Sequence, residues 1–263
     1  MLNAIQNTAD KIILFCESGQ IKLPQSPSIL YILLEKMVVP VALPKKTENG
    51  RYPSFHPKTW LLQYCNDKNE RKYRFVVLSR NLTFDRSWDV SIVLDGNEQN
   101  KNSEKTQPIK DFLEFLIKQI SGDFLWDNNK KNLIDKLCSE LENVYFEINM
   151  KEFYDLKIMP IGIGKKQYDI INDELFYDTF HELVIMSPFI SADVIESFNK
   201  DNRGLTGCQR TLITRKTEIR KLKKEQVANF NIYTLKDIII DGENALSDED
   251  VEKQKQDIHA KIF

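Results

Sequence analysis

Short apolar runs alternate with amphipathic helical stretches along the chain, and this alternation predicts an α/β fold. Two further observations suggest how it is organised. The same order of strand and helix signals occurs in residues 1–150 and again in residues 151–263, and each half contains a strand bearing His-x-Lys. The expectation is two similar halves, each a mixed sheet flanked by helices, with the boundary between Asn149 and Asp155. A chain of 263 residues with 41% hydrophobic content can bury a sizeable core, as one large domain or as two half-domains.

Lys11 to Cys16 is a short apolar run that reads as a buried strand, and Ser18-Gly19-Gln20 is a turn signal. Ser26-Pro27-Ser28 opens a helix over Ile29, Leu30, Leu33 and Leu34, with Ser26 as N-cap and Pro27 at the first helical position. Met37 to Leu43 turns extended again, and Lys45 to Tyr52 is a polar loop. Phe55 to Leu62 and Tyr73 to Leu78 read as strands joined by the polar, hairpin-like connection Asn66 to Lys72. Trp88 to Gly96 alternates and ends at glycine, which gives a third strand, and Asn97 to Gln107 is a surface loop. Pro108 opens a helix with Ile109, Phe112, Leu113, Leu116 and Ile120 on one face. Leu133, Leu137 and Leu141 mark another helix, and Val144 to Ile148 returns to strand.

The second half repeats the layout. Leu156 to Ile163 is apolar, with Gly162 and Gly164 marking a turn rather than a dinucleotide fingerprint. Leu175 to Phe180 reads as helix, Leu183 to Ser187 as a buried strand and Asp193 to Phe198 as helix. Arg210 to Thr214 is strand, Lys216 to Lys224 a basic helix, and Ile232 to Leu235 strand. Leu246 to Gln256 is an acidic, polar loop or short helix, and Ile258 to Phe263 is the last strand.

Composition narrows the functional classes. Lys and Arg number 37 against 39 Asp and Glu, a net charge of −2, so no nonspecific nucleic-acid coat is expected over the whole surface. The 4 cysteines, Cys16, Cys65, Cys138 and Cys208, are scattered, as free thiols in a reducing compartment would be. Met1 to Asp10 lacks the pattern of a secretion signal, and no apolar run approaches the roughly 20 residues of a membrane helix. A cytoplasmic protein with no membrane span is expected. No His, Asp and Glu cluster has metal-ligand spacing, so no metal site and no cofactor are expected.

Chemistry concentrates in two places. His56 and Lys58 are two apart on an expected strand, so their side chains point the same way. Ser79 and Asn81 repeat that spacing at the end of the next strand. Together they would give a phosphate an imidazole, an ammonium, a hydroxyl and a carboxamide. His259 and Lys261 form a second His-x-Lys in the last five residues. Two copies, using two of only 3 histidines, outweigh the reading of His56 and Lys58 as a solvated edge-strand pair. His181 reads as a helix-end or surface residue, and Trp60 and Trp88 as core anchors. The run Arg215, Lys216, Arg220, Lys221, Lys223, Lys224 reads as one solvated helix face, with a phosphate-backbone contact as the alternative.

The pattern resembles the phospholipase D superfamily, marked by two copies of His-x-Lys, each followed by Ser-x-Asn or Asn-x-Asn. His56-Pro57-Lys58 with Ser79-Arg80-Asn81 matches the first copy, and His259-Ala260-Lys261 matches the start of the second. The family's Asp after the lysine is Gln63 here, as in the tyrosyl-DNA phosphodiesterase branch, which also lacks it, and the usual Gly before the Ser is Leu78. No second Ser/Asn partner follows Lys261 before Phe263, so the expectation is either a piece of a longer protein or an incomplete second half-site.

The resemblance implies a metal-independent phosphodiesterase with its active site between the halves. His56 would be the nucleophile that forms a phosphohistidine and His259 the acid/base, or the reverse. Lys58, Lys261, Ser79 and Asn81 would hold the phosphate oxygens. Nucleic acid, DNA or RNA, is the expected substrate. A phospholipid is the rival within the class, against which stands the lack of a clear amphipathic docking helix. A catalytically idle nucleic-acid- or partner-binding module is the alternative of another class, and a homodimer pairing two first motifs is a third reading.

Overall fold

The computed structural model describes residues 2–20, 34–43, 53–80, 88–99, 103–121, 124, 127–153, 155–163, 179–201, 203–234 and 260–262. They form a mixed α/β structure. The chain divides into two compact units. The first comprises Met1–Pro57, Leu61–Phe75 and Leu94–Lys166; the second comprises Lys58–Trp60, Val76–Val93 and Gln167–Phe263.

The N-terminal segment forms helix α1 (Leu2–Thr8) and a 3-10 turn (Ala9–Lys11), followed by strand β1 (Leu14–Glu17). The expected strand from Lys11 therefore begins three residues late. β1 pairs in parallel with β2 (Val38–Val41), Leu14 opposite Val38. The helix expected from Ser26 lies outside the described residues.

Strands β3 (Thr59–Cys65), β4 (Arg71–Leu78), β5 (Ser91–Glu98) and β6 (Val144–Glu147) form a sheet in that order. The β3–β4 turn closes through Asn66, whose Oδ1 accepts the N–H groups of Lys68 (3.0 Å) and Glu70 (2.9 Å), while Asn69 takes a left-handed φ of 60°. β5 does not stop at Gly96 as expected. It runs on to Glu98, and Gly96 sits opposite Phe146 of β6. A Cβ on Gly96 would meet side-chain carbons of Phe146 and Val144 at 2.8 Å, so the glycine marks a crowded crossing within the sheet.

Helices α2 (Gln107–Lys118) and α3 (Asn128–Leu141) cover the first unit's core. Pro108 lies in the first turn of α2, where its missing N–H costs nothing. Asp127 caps α3 by accepting the Asn129 N–H at 2.8 Å. The buried stripe of α3 is Ile134, Cys138 and Leu141, an i, i+4, i+7 pattern. The stripe expected through Leu133 is therefore rotated by one residue: Leu133 faces outward and Leu137 flanks the core. Tyr73, Phe146, Ile109, Leu141 and Val144 are fully buried, each large apolar side chain contributing roughly 1.5–3 kcal/mol. Among the described residues, 156–163 have no helix or strand. Leu156 and Ile158 pack on this core, and Gly162 turns the chain at φ 90°. Gly164 lies outside the described residues.

In the second unit, β7 (Phe180–Met186), β8 (Gly204–Ile213) and β9 (Asn231–Tyr233) form a parallel sheet in that order. Phe180, expected to end a helix, opens β7, and 171–178 lie outside the described residues. Helix α4 (Ala192–Lys200) follows β7, and Ile195 and Phe198 pack with Ile185, Leu212 and Phe230. Arg210 on β8 donates to the carbonyls of Phe198 (2.9 Å), which also accepts the Asp201 N–H (3.3 Å), and Asp201 (2.7 Å), and so ties β8 to the end of α4. The expected basic helix is two short turns, α5 (Lys216–Ile219) and α6 (Lys224–Val227). The chain leaves helical geometry between them at Lys223, which is extended at ψ 151°. The segment expected from Leu246 lies outside the described residues.

Candidate active site

The strand expected to carry His56 and Lys58 begins at Thr59, just past both. Pro57 explains the late start, because it lacks the N–H that would extend the ladder. The Lys58 carbonyl still joins the pairing and accepts the Leu78 N–H at 2.8 Å. His56 precedes the strand and is exposed, whereas Lys58 is half-buried.

From Lys58, backbone hydrogen bonds run through the second unit from segment to segment. Ser79 N–H donates to the Val90 carbonyl (2.9 Å), and Ala260 N–H donates to the Trp88 carbonyl (3.0 Å). Ile262 and Met186 exchange two bonds of 2.9 Å in an antiparallel bridge at the end of β7. Ser187 then bonds Ile213 and Thr214 bonds Tyr233, each at 3.1 Å. The start of β3, the end of β4, the start of β5, residues 260–262 and the ends of β7, β8 and β9 are thus linked in order. Lys58 and Lys261, 203 positions apart in sequence, meet through this series.

Their meeting has an electrostatic signature. Burial, and after it the positive charge of Lys261, hold Lys58 below the ordinary lysine pKa. Two cations that sense each other favour an anion that lies against both.

Ser79 is held from two sides. Its hydroxyl donates to Asp89 Oδ1 (2.9 Å) and accepts the Val90 N–H (2.9 Å). Asp89 Oδ2 pairs with Arg80 Nε at 2.7 Å. One carboxylate thus ties the serine and the following arginine across the β4 and β5 ends. The single hydroxyl proton of Ser79 is engaged, so donating to a phosphate requires that bond to switch. In the sequence Asp85, Arg86 and Asp89 follow Ser-x-Asn and can either pair with one another or support the lysines; among the described residues Asp89 pairs with Arg80, the middle letter of Ser-x-Asn. Asn81 and His259 lie outside the described residues, as do Asp85 and Arg86.

Gln63, at the position of the family's Asp, belongs to a network in the first unit. Its amide donates to Tyr73 Oη (3.1 Å) and to Glu140, and Tyr73 donates to Glu98 at 3.0 Å. Arg71 Nη1 pairs with Glu140 at 2.8 Å. Burial pushes the Tyr73 phenol well above its ordinary value, which keeps it a neutral donor.

Two expectations about aromatics are corrected. Trp60 and Trp88 are not core anchors: they are 42% and 51% exposed. Trp88 is bonded at its backbone to Ala260, so its indole lies outside the core while its main chain supports the segment bearing Lys261. His181 is exposed on β7, a surface residue on a strand rather than at a helix end.

Among the described residues, no helix is long and apolar enough to cross a membrane, and no three His, Cys, Asp or Glu side chains are grouped so as to hold a metal ion. No protein-family model, curated protein or solved structure gives a significant match to the chain.

Proposed function

We propose that the chain is a phospholipase D-like phosphodiesterase that hydrolyses a phosphodiester of nucleic acid through a phosphohistidine. The observation that carries this reading is the meeting of Lys58 with Lys261, one lysine from each His-x-Lys and each half of the sequence, beside Ser79. A solvated edge-strand pair gives no reason for two remote lysines to be brought together against their mutual repulsion. A phosphodiester lying against both ammonium groups would be attracted by each of them.

In the proposed reaction an imidazole nitrogen, assigned to His56, attacks phosphorus. A nitrogen–phosphorus bond forms as the bond to the leaving alkoxide breaks. The second imidazole, assigned to His259, gives its proton to that alkoxide and then takes one from water. Water attacks the phosphohistidine and restores His56. Lys58 and Lys261 hold the equatorial oxygens, where charge grows in the transition state. Asn81 adds a neutral donor, and Asp89 positions Ser79 and Arg80. In this reading the two halves are similar in architecture, and the reaction takes place where their His-x-Lys segments meet.

The test uses labelled single-stranded and duplex DNA with excess chelator. Chelator-resistant cleavage by the wild-type chain, lost in His56→Ala, is expected. Cleavage that survives His56→Ala unchanged, or that requires an added metal, overturns the reading.

A further inference from the structure

The second unit carries a feature that the proposed chemistry does not use. Phe189 lies three residues beyond the end of β7 and is 63% exposed, and the guanidinium of Arg215, two residues beyond β8, lies 4.7 Å from its ring centroid. Tyr233, the last residue of β9, is 60% exposed. β7, β8 and β9 are parallel neighbours, so these groups stand at one end of one sheet, where the ends of β7 and β9 are on the order of 10 Å apart across two strand spacings. Lys261 is at the same end, because Ile262 bridges Met186, the last residue of β7.

The charge at this end is lopsided. Residues 214–224 hold six cations, Arg215, Lys216, Arg220, Lys221, Lys223 and Lys224, and one acid, Glu218, in a chain whose net charge is −2. Glu218 is buried; it accepts from Lys221 at 2.5 Å and from the Ile190 N–H at 3.4 Å, so it offers little charge to solvent. Excess positive charge beside exposed aromatic rings matches a polyanion that also has flat, apolar faces.

We propose that this end of the parallel sheet is a platform for single-stranded nucleic acid, with Phe189 stacking one base and Arg215 and its basic neighbours holding the flanking phosphates. The proposal deepens the phosphodiesterase reading and rests on it for the direction of the strand, which runs from the platform toward Lys261 and Lys58. A duplex is excluded as the preferred occupant because its base faces are already stacked on one another. The guanidinium covers one face of the Phe189 ring, and the exposed remainder is left for a base.

The experiment measures binding by fluorescence anisotropy with a labelled 20-nucleotide oligothymidine, the matching duplex, and inorganic polyphosphate as a base-free competitor. Phe189→Ala is expected to weaken oligothymidine binding about tenfold, with Phe189→Trp restoring it and polyphosphate binding changing far less. Arg215→Ala is expected to weaken both ligands and flatten the salt dependence. Unchanged oligothymidine affinity in Phe189→Ala, or an equal loss for polyphosphate, overturns the platform. Hydrolysis of bis(p-nitrophenyl) phosphate by the wild-type chain in chelator needs no base recognition and tests the phosphodiesterase reading separately. A tenfold binding loss without that hydrolysis leaves the platform standing and removes the enzyme; hydrolysis without the binding loss does the reverse.

Discussion

Lys58 and Lys261 stand close enough for the charge on Lys261 to lower the pKa of Lys58, with burial the larger cause. A lysine whose folded pKa is depressed is a destabilising cation at neutral pH. Its cost is relieved as pH rises from the folded value toward the ordinary one, where the unfolded chain binds more protons than the folded. In Lys261→Ala the pKa of Lys58, followed by NMR of isotopically labelled lysine side chains, is expected to rise but stay below the ordinary lysine value, because burial remains. An unmoved resonance would show that the two ammonium groups do not sense each other.

Gly96 faces Phe146 and Val144 with no room for a methyl group. Gly96→Ala is expected to destabilise the chain by about 1–3 kcal/mol through overpacking, read from urea unfolding. Adding Val144→Ala should recover part of the loss, because one of the two clashing side chains is then shortened. A neutral Gly96→Ala would mean that the β5–β6 crossing is looser than the contacts require.

Asp201 is a buried carboxylate in the second unit. Burial alone would raise its pKa, but the Arg203 side chain at 2.8 Å and the Arg203 N–H at 3.1 Å outweigh it and hold the value below the usual aspartate range. The folded pKa is depressed, so the stabilisation is present above the unfolded value near 3.9 and is lost as pH falls through the folded one. Asp201→Asn should therefore lower Tm at pH 7 and flatten its fall below pH 4. A parallel fall in both proteins would place the acid sensitivity elsewhere.

Arg210 connects β8 to the end of α4 through two carbonyls. Arg210→Ala leaves these partly buried acceptors without their charged donor and is expected to cost about 1.5–3 kcal/mol. Arg210→Met keeps most of the apolar stem and separates the packing loss from the hydrogen-bond loss. Equal stability of Met and wild type in urea would show that the two bonds contribute nothing.

Strand and helix positions were largely legible, because alternation in Tyr73 to Leu78 and the i, i+3, i+4 spacing from Ile109 to Leu116 are local signals. The misreadings came from tertiary contacts. Gly96 looked like a strand end, since nothing in its neighbours announces Phe146 packed over it. Trp60 and Trp88 looked like core, since size and apolarity do not show which side of a sheet edge a ring occupies. The His-x-Lys and Ser-x-Asn spacings are local patterns that any reading of the letters finds. Their connection through Trp88, Ala260 and Met186 joins residues too far apart in sequence for any periodicity to reveal. The grip of Asp89 on both Ser79 and Arg80 depends on the pairing of β4 with β5, which no local signal carries.

The most direct test of the phosphodiesterase account is to trap the covalent intermediate. The chain is mixed with a phosphodiester labelled with ³²P, in chelator, and quenched in alkali, where phosphohistidine survives and phosphoserine or aspartyl phosphate does not. The account predicts an alkali-stable, acid-labile radioactive adduct on the wild-type chain, absent from His56→Asn and His259→Asn or confined to whichever of the two retains the nucleophile. Substrate turnover without any such adduct, or an adduct of equal yield in both variants, would contradict it.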